Sequence, residues 1–304
     1  MTIHEMQNEI LRLKKEKDIF ILAHSYERQE ITEIADVVGD SYRLACAVKN
    51  IRHKTVLLCG VRFMAETVKI LSPEKRVILS HSEAGCPMAD GLSAQTLSML
   101  QKQHPHAVTV AYINTTAEVK ALSDVCVTSS SAVKVISRIP EKEILFVPDQ
   151  NLGGYCQKQL SDKTFYFFGG GCPIHMNASL KDVEREKALH PRALLLVHPE
   201  CFEEVVDRAD YVGSTSGIID TIRKSTHDEF IIGTDNSIRE HLEYEFPDKK
   251  FYALSKKLMC VNMRLTTLKN VRDCLMGGGE EIVMDEHLRV SAKRCIDRMI
   301  RVGG

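Results

Sequence analysis

VTVAYINTT (108–116), DVCVTSSSAV (124–133), EILFVPDQNLGGYC (143–156) and TFYFFGGGC (164–172) follow one another as apolar, β-prone runs separated by helical stretches. Strands covered on both faces read as continuous apolar runs, as VTVAYI does. Such strands alternating with helices specify a parallel sheet with right-handed crossovers and helices on both faces.

The same succession stands on either side. Before it come FILAHSYER (20–28), DVVGDSYRLA (36–45), TVLLCGVRFMAETV (55–68) and RVILSHSEAGC (76–86). After it come LLLVHPECF (194–202), DYVGSTSGII (210–219), EFIIGTDNSIREHL (229–242) and KFYALSKKLMC (250–260). The separations are regular: His24 to Tyr112 is 88 and Tyr112 to His198 is 86; Ser41 to Ser129 is 88 and Ser129 to Thr215 is 86; Cys86 to Cys172 is 86 and Cys172 to Cys260 is 88. A fixed period is the mark of a repeated unit. The expectation is an α/β protein of three α/β/α units related by a pseudo-threefold axis, over residues 1–86, 87–172 and 173–263, with an active site where they meet. Residues 3–16 read as a helix with Ile3, Met6, Ile10 and Leu13 on one face. Residues 280–300 read as a second, with Ile296, Met299 and Ile300 apolar and Arg298 and Arg301 outside. The segment 264–304 is expected to pack back on the first unit.

Composition sets the class. The chain has 304 residues, 44% hydrophobic and 27% charged, which suits a globular protein with a real core. Forty Lys and Arg against 41 Asp and Glu leave a net charge of −1, which argues against nucleic acid as a partner. No apolar run is long enough for a membrane span, and MTIHEMQNEILRLKKEKD lacks the apolar core of a signal peptide. A cytoplasmic protein is expected. None of the ten cysteines shows C-x-x-C spacing, which removes zinc ribbons, thioredoxin-like motifs and clustered ferredoxin signatures.

In parallel α/β sheets, ligands bind beyond the carboxyl ends of the strands. Polar residues stand there in every unit: His24, Ser25 and Tyr26; Tyr112 and Asn114; His198 and Glu200. The second strands end in Asp40-Ser41, Ser129-Ser130-Ser131 and Ser214-Thr215. These hydroxyls and backbone N–H groups precede helices and offer cradles for anionic groups, or plain helix caps. Threefold symmetry brings Cys86, Cys172 and Cys260 towards one axis. Three thiolates can hold three irons of a [4Fe-4S] cluster and leave the fourth open as a Lewis acid; zinc with three thiolates and a water competes, as do three cysteines that simply pack in a core. His175, three residues after Cys172, is open to a supporting, substrate-binding or structural role.

AHSYERQEITEIADVVGDS (23–41), CPMA (86–89), AYIN (111–114), VTSSSA (127–132), FVPDQNLGGY (146–155), GCPIH (171–175), VHPE (197–200), GSTSGI (213–218), IIGTDNSI (231–238) and CVNM (260–263) resemble the quinolinate synthase family, the A proteins of de novo NAD biosynthesis, in order and spacing over most of the chain. The resemblance implies three α/β/α domains around a three-cysteine [4Fe-4S] cluster, held here by Cys86, Cys172 and Cys260. It implies a transferase that condenses iminoaspartate with dihydroxyacetone phosphate to quinolinate, phosphate and two waters, functionally coupled to an aspartate-oxidising enzyme that supplies iminoaspartate. It implies His24, Ser41, Tyr112, Asn114, Ser129, His198, Glu200 and Thr215 as substrate-binding residues. Tyr26 and Glu200 would act as acid and base, with His198 fixing the substrate. The chain departs from the family at Phe168 for Trp, Val261 for Pro and Ser25 for Asn, none of which removes a group the chemistry needs. Two rivals are a radical enzyme of the diphthamide-synthesis type, which also resembles three repeats with three cluster cysteines, and a non-catalytic iron–sulfur sensor.

Overall fold

The computed structural model describes residues 1–48 and 51–303. Each unit holds four parallel strands. They are β1 Ile19–His24, β2 Val37–Gly39, β3 Thr55–Cys59 and β4 Arg76–Leu79 in the first; β5 Val108–Tyr112, β6 Val125–Val127, β7 Glu143–Val147 and β8 Thr164–Phe167 in the second; and β9 Leu194–Val197, β10 Tyr211–Val212, β11 Glu229–Gly233 and β12 Lys250–Ala253 in the third. The order across each sheet is the same: fourth, third, first, second.

Register repeats too. Leu22 pairs with Leu58, Val110 with Phe146 and Leu196 with Ile232, at the 88- and 86-residue offsets of the sequence. The aspartate that opens each second-strand motif fixes the first strand: Asp36, Asp124 and Asp210 accept the backbone N–H of Ile21, Thr109 and Leu195 at 2.8, 2.8 and 2.7 Å. The strands are apolar because both faces are covered: Leu22, Leu57, Leu58, Val110, Ile144, Leu145, Leu195 and Ile231 are fully buried. Burying one such side chain contributes about 1.5–3 kcal/mol.

The ends depart from expectation in three places. The first helix, Ile3–Glu16, is capped by Thr2 with Glu5 in a capping box and buries Ile10 and Leu13, but Ile3 stays exposed beyond the sheet. Residues 280–281 are not helical. They form β13, Glu280–Glu281, antiparallel to β4 at the edge of the first sheet, held by Arg62–Glu280 and Arg76–Glu281 ion pairs of 2.6 and 2.8 Å. The last helix, Glu286–Gly303, bridges the first unit and the second. It lies along helix Ala117–Leu122 and β6 in the second unit while also touching helix Arg62–Leu71. Its stripe of Ala292, Cys295, Ile296 and Met299 is buried, and Cys295 Sγ sits 3.1 Å from Cys126 Sγ on β6. Only the segment up to β13 stays with the first unit, where helix Leu268–Leu275 packs on Ile3–Glu16. The physical reason is that β6 ends its sheet with an apolar face, and this stripe covers it.

Candidate active site

The first strands of the three units end in His24, Tyr112 and Val197–His198, and these ends meet around a partly open cavity of about 320 Å³. That volume lies at the small end of the range for small-molecule sites. His24, Tyr26, Ser41, Cys86, Tyr112, Asn114, Ser129, Cys172, His198, Glu200, Thr215 and Cys260 all line it. These twelve residues are therefore brought to one place, whereas Ser25, Ser130, Ser131 and Ser214 line a neighbouring basin instead. A wider basin of about 1140 Å³ adjoins the cavity, sharing Asp40, Tyr42 and Ser129 with it, and carries Arg43 and Arg223 on its wall.

The three cysteines sit in equivalent local structure. Cys86 precedes the helical turn Pro87–Asp90, Cys172 the turn His175–Asn177 and Cys260 the turn Met263–Leu265. In each, the backbone N–H groups two and three residues on donate to the sulfur: Met88 and Ala89, Ile174 and His175, Asn262 and Met263. Each cysteine's own N–H is held by a carboxylate. Asp90 Oδ2 accepts from Cys86 at 3.0 Å, Asp149 Oδ2 from Cys172 at 2.9 Å and Asp235 Oδ2 from Cys260 at 2.6 Å. Asp149 and Asp235 follow β7 and β11 at the period of 86; the first unit has Val61 at that position, and Asp90 supplies the acceptor instead.

Burial pushes the Cys86 thiol up to about 12, and Cys172 and Cys260 are likewise raised by burial. Burial thus favours the protonated thiol at all three positions. Among the described residues, the side chains whose ligand atoms all lie within 4.8 Å of one another are Cys172, His175 and Glu200, not the three cysteines. One zinc ion with Zn–S bonds of about 2.3 Å needs its sulfurs under about 4 Å apart. Three thiols on one cavity, not all within 4.8 Å of one another, suit a polynuclear iron–sulfur cluster better than a single zinc ion.

The remaining groups form a connected network. Tyr26 donates its backbone N–H to His24 Nδ1 at 3.1 Å, and Glu200 does the same to His198 Nδ1 at 3.4 Å, so each ring carries its proton on Nε2. Burial pushes His24 down to about 4 and His198 to about 3, against the pull of nearby carboxylates, Glu200 among them for both. Both rings are neutral at pH 7.

The Tyr26 hydroxyl lies 2.9 Å from Thr215 Oγ1 and 2.8 Å from Thr234 Oγ1, and burial together with Glu200 holds the phenol well above its ordinary value. Thr234 Oγ1 lies 3.0 Å from His175 Nε2, and His175 Nδ1 lies 2.7 Å from Glu200 Oε2. His175 stacks on His198 with ring centres 4.5 Å apart. Burial alone would raise the Glu200 carboxyl; the His198 and His175 rings and the Tyr112 hydroxyl that face it outweigh that and hold it below the ordinary range. Glu200 Oε1 and Asn114 Oδ1 are buried with no hydrogen-bond partner, acceptors left for a ligand.

Two side chains tie the units together at the site. Asn151 Nδ2 donates to the Glu200 carbonyl at 3.1 Å, and Asn262 Nδ2 donates to the Gly85 carbonyl at 2.7 Å, beside Cys86. Thr234, Asp149, Asp235, Asn151 and Asn262 were not singled out from sequence. The shared spacing of Asp149 and Asp235 was the available signal for that pair; the others act through contacts that no local pattern announces. The Asp40 carboxylate caps the helix Ser41–Val48 by accepting from Arg43 N at 3.0 Å.

The family model described as "Quinolinate synthetase A protein" matches residues 8–301. A quinolinate synthase of Caldicellulosiruptor bescii is 45% identical over 303 residues, covering 100% of both chains. One from Clostridium perfringens is 46% identical over 300 residues, 99% of this chain and 100% of the relative. One from Geobacter metallireducens is 45% identical over 302 residues, 99% of each.

Proposed function

The chain belongs to the quinolinate synthetase A protein family, and from that premise we propose that it is the enzyme that condenses iminoaspartate with dihydroxyacetone phosphate, releasing quinolinate, phosphate and two waters. The observation that carries the proposal is the meeting of three equivalent cysteines with Tyr26, Tyr112, Asn114, His198 and Glu200 on one cavity. An iron–sulfur sensor needs no such set of proton-handling groups.

Cys86, Cys172 and Cys260 would hold a [4Fe-4S] cluster. When bound, it supplies a Lewis-acidic iron without a protein ligand, suited to a substrate hydroxyl or carboxylate. The protein's own groups divide the rest. Glu200, kept ionised in a dry site, is the base that takes protons as the ring closes and water leaves. Tyr26, kept as the phenol and fixed between Thr215 and Thr234, is the matching acid. His24 and His198, neutral and bearing their protons on Nε2, donate hydrogen bonds to anionic substrate oxygens without carrying charge themselves. Ser41 and His24 take the phosphate substrate, while Ser129, Asn114, Tyr112 and Thr215 serve the carboxylates of iminoaspartate. The cavity wall of Val61, Phe63, Met64, Met88 and Met263 excludes water, which strengthens each of these interactions. Iminoaspartate hydrolyses readily, so a reaction that oxidises aspartate must supply it close by.

The test is anaerobic incubation of the iron- and sulfide-reconstituted chain with both substrates, reading quinolinate and phosphate together. Equal yields of the two products are expected. A fully loaded chain that makes no quinolinate refutes the reading.

A further inference from the structure

His175 and Glu200 are only 2% exposed each, and Glu200 Oε1 is buried with no hydrogen-bond partner. With Cys172 Sγ they offer one sulfur, one nitrogen and one carboxylate oxygen, all within 4.8 Å of one another. His175 is fixed for this task from its other side. Its Nε2 lies 3.0 Å from Thr234 Oγ1, which is itself 2.8 Å from the Tyr26 hydroxyl, and the ring is stacked on His198. A tethered far nitrogen is the usual support of a metal-binding histidine, since it fixes tautomer and ring orientation. His175 Nδ1 lies 2.7 Å from Glu200 Oε2, so an ion held by both residues takes the place of the contact they make in its absence.

We propose that, in the chain without its cluster, Cys172, His175 and Glu200 bind one divalent transition ion of the zinc or cobalt type, and that this ion and the cluster exclude each other. A thiolate, an imidazole and a carboxylate form the donor set of a tetrahedral zinc-type ion with one open position, and they discriminate against magnesium and calcium, which take oxygen alone. The wider spread of the three cysteines keeps Cys86 and Cys260 out of the ion's coordination. Binding replaces the Cys172 thiol proton, which leaves to solvent, with no change of oxidation state. Exclusion follows because both occupants need the Cys172 sulfur. The exclusion half rests on the cluster proposed above; the ion site does not.

The test is a cobalt(II) titration of the full-length, chelator-treated, reduced chain under anaerobic conditions. One cobalt per chain is expected, with a thiolate-to-cobalt charge-transfer band and tetrahedral visible bands. Cys172→Ser removes the charge-transfer band, His175→Gln and Glu200→Gln each weaken binding about ten-fold or more, and Thr234→Val weakens it about 10–100-fold through loss of the ring's support. Cys86→Ser and Cys260→Ser leave band and affinity unchanged. No band in the parent chain, a band that survives Cys172→Ser, or equal loss in Cys86→Ser overturns the ion site; circular dichroism of each variant identifies any that fail to fold, and the remaining variants then decide. Zinc-loaded chain treated with iron and sulfide should take up little iron until a chelator removes the zinc. Full iron with zinc retained overturns the exclusion. Full cluster uptake by a chain that never binds cobalt defeats this proposal while leaving the proposed function intact, and cobalt binding by a chain that makes no quinolinate does the reverse.

Discussion

Asp149 and Asp235, 86 residues apart, hold Cys172 and Cys260 by the same bond, a carboxylate oxygen accepting the cysteine's backbone N–H at 2.9 and 2.6 Å. Each aspartate also secures its own turn: Asp149 Oδ1 accepts from Leu152 N at 2.8 Å and Asp235 Oδ1 from Ser237 N at 2.9 Å. One side chain thus couples a helix start to a cysteine loop, twice. Asp149→Ala and Asp235→Ala should each lower stability by about 1–3 kcal/mol, the scale for a lost buried acceptor, and speed loss of the brown chromophore to a chelator. A decay rate equal to the parent's would show that these carboxylates serve only the helices.

Glu200→Gln should keep substrate binding and iron content close to the parent's while lowering turnover by a factor of about 10² or more, the scale for a positioned base. Glu200 is the carboxylate among the residues at the first-strand ends, where the other units have His24 and Tyr112, and the Tyr112 hydroxyl and His175 both address it. Parent-like turnover would make it a structural residue.

Ser41→Ala should raise the apparent KM for dihydroxyacetone phosphate more than that for iminoaspartate. Losing one charge-assisted hydrogen bond costs about 1.5–3 kcal/mol, roughly ten- to a hundred-fold in affinity. Asp40, whose carboxylate would repel a phosphate, is engaged in capping through Arg43 N. Movement of the iminoaspartate constant alone would reverse the assignment of substrates to units.

Acid should weaken the metal-free chain through His24 and His198. Their folded values, about 4 and about 3, lie below the unfolded value near 6.5. Between those limits the unfolded chain binds protons that the folded chain refuses. Stability is therefore full above pH 6.5 and falls by about 1.4 kcal/mol per pH unit for each ring as pH drops through the window. Thermal melts from pH 7 to pH 4 should show this slope, and His24→Asn with His198→Asn should flatten it. An unchanged slope in the double variant would place the acid sensitivity elsewhere.

Much of this was legible in the sequence because period 86–88 is a property of composition and order, and strand register inherits it: Leu22, Val110 and Leu196 were equivalent on paper and are equivalent in their sheets. The three cysteines and the strand-end polar residues came with the same period. What was not legible depends on distant partners. Glu280 and Glu281 pair with Leu79 and Ile78 some 200 residues earlier, and an acidic pair carries no strand signal of its own. The amphipathic stripe of Ala292, Cys295, Ile296 and Met299 says that a face is buried, not against which unit, so its place on β6 had to be seen. Thr234 lay inside a quoted motif, yet its part comes from Tyr26, 208 residues away, and His175, 59 residues away.

The central claim is that three period-related cysteines carry the cofactor of quinolinate formation. Iron, sulfide and quinolinate yield, measured on the same anaerobic samples of the parent chain and its cysteine variants, test it most directly. Cys86→Ala, Cys172→Ala and Cys260→Ala should each lose the brown chromophore and all quinolinate formation. Cys46→Ala, half-buried, and Cys274→Ala, buried in the apolar core with its sulfur facing the Ser80 carbonyl, should keep both. Full iron loading in a chain lacking all three of Cys86, Cys172 and Cys260, or quinolinate made by any one of the three single variants at the parent's rate, would contradict the account.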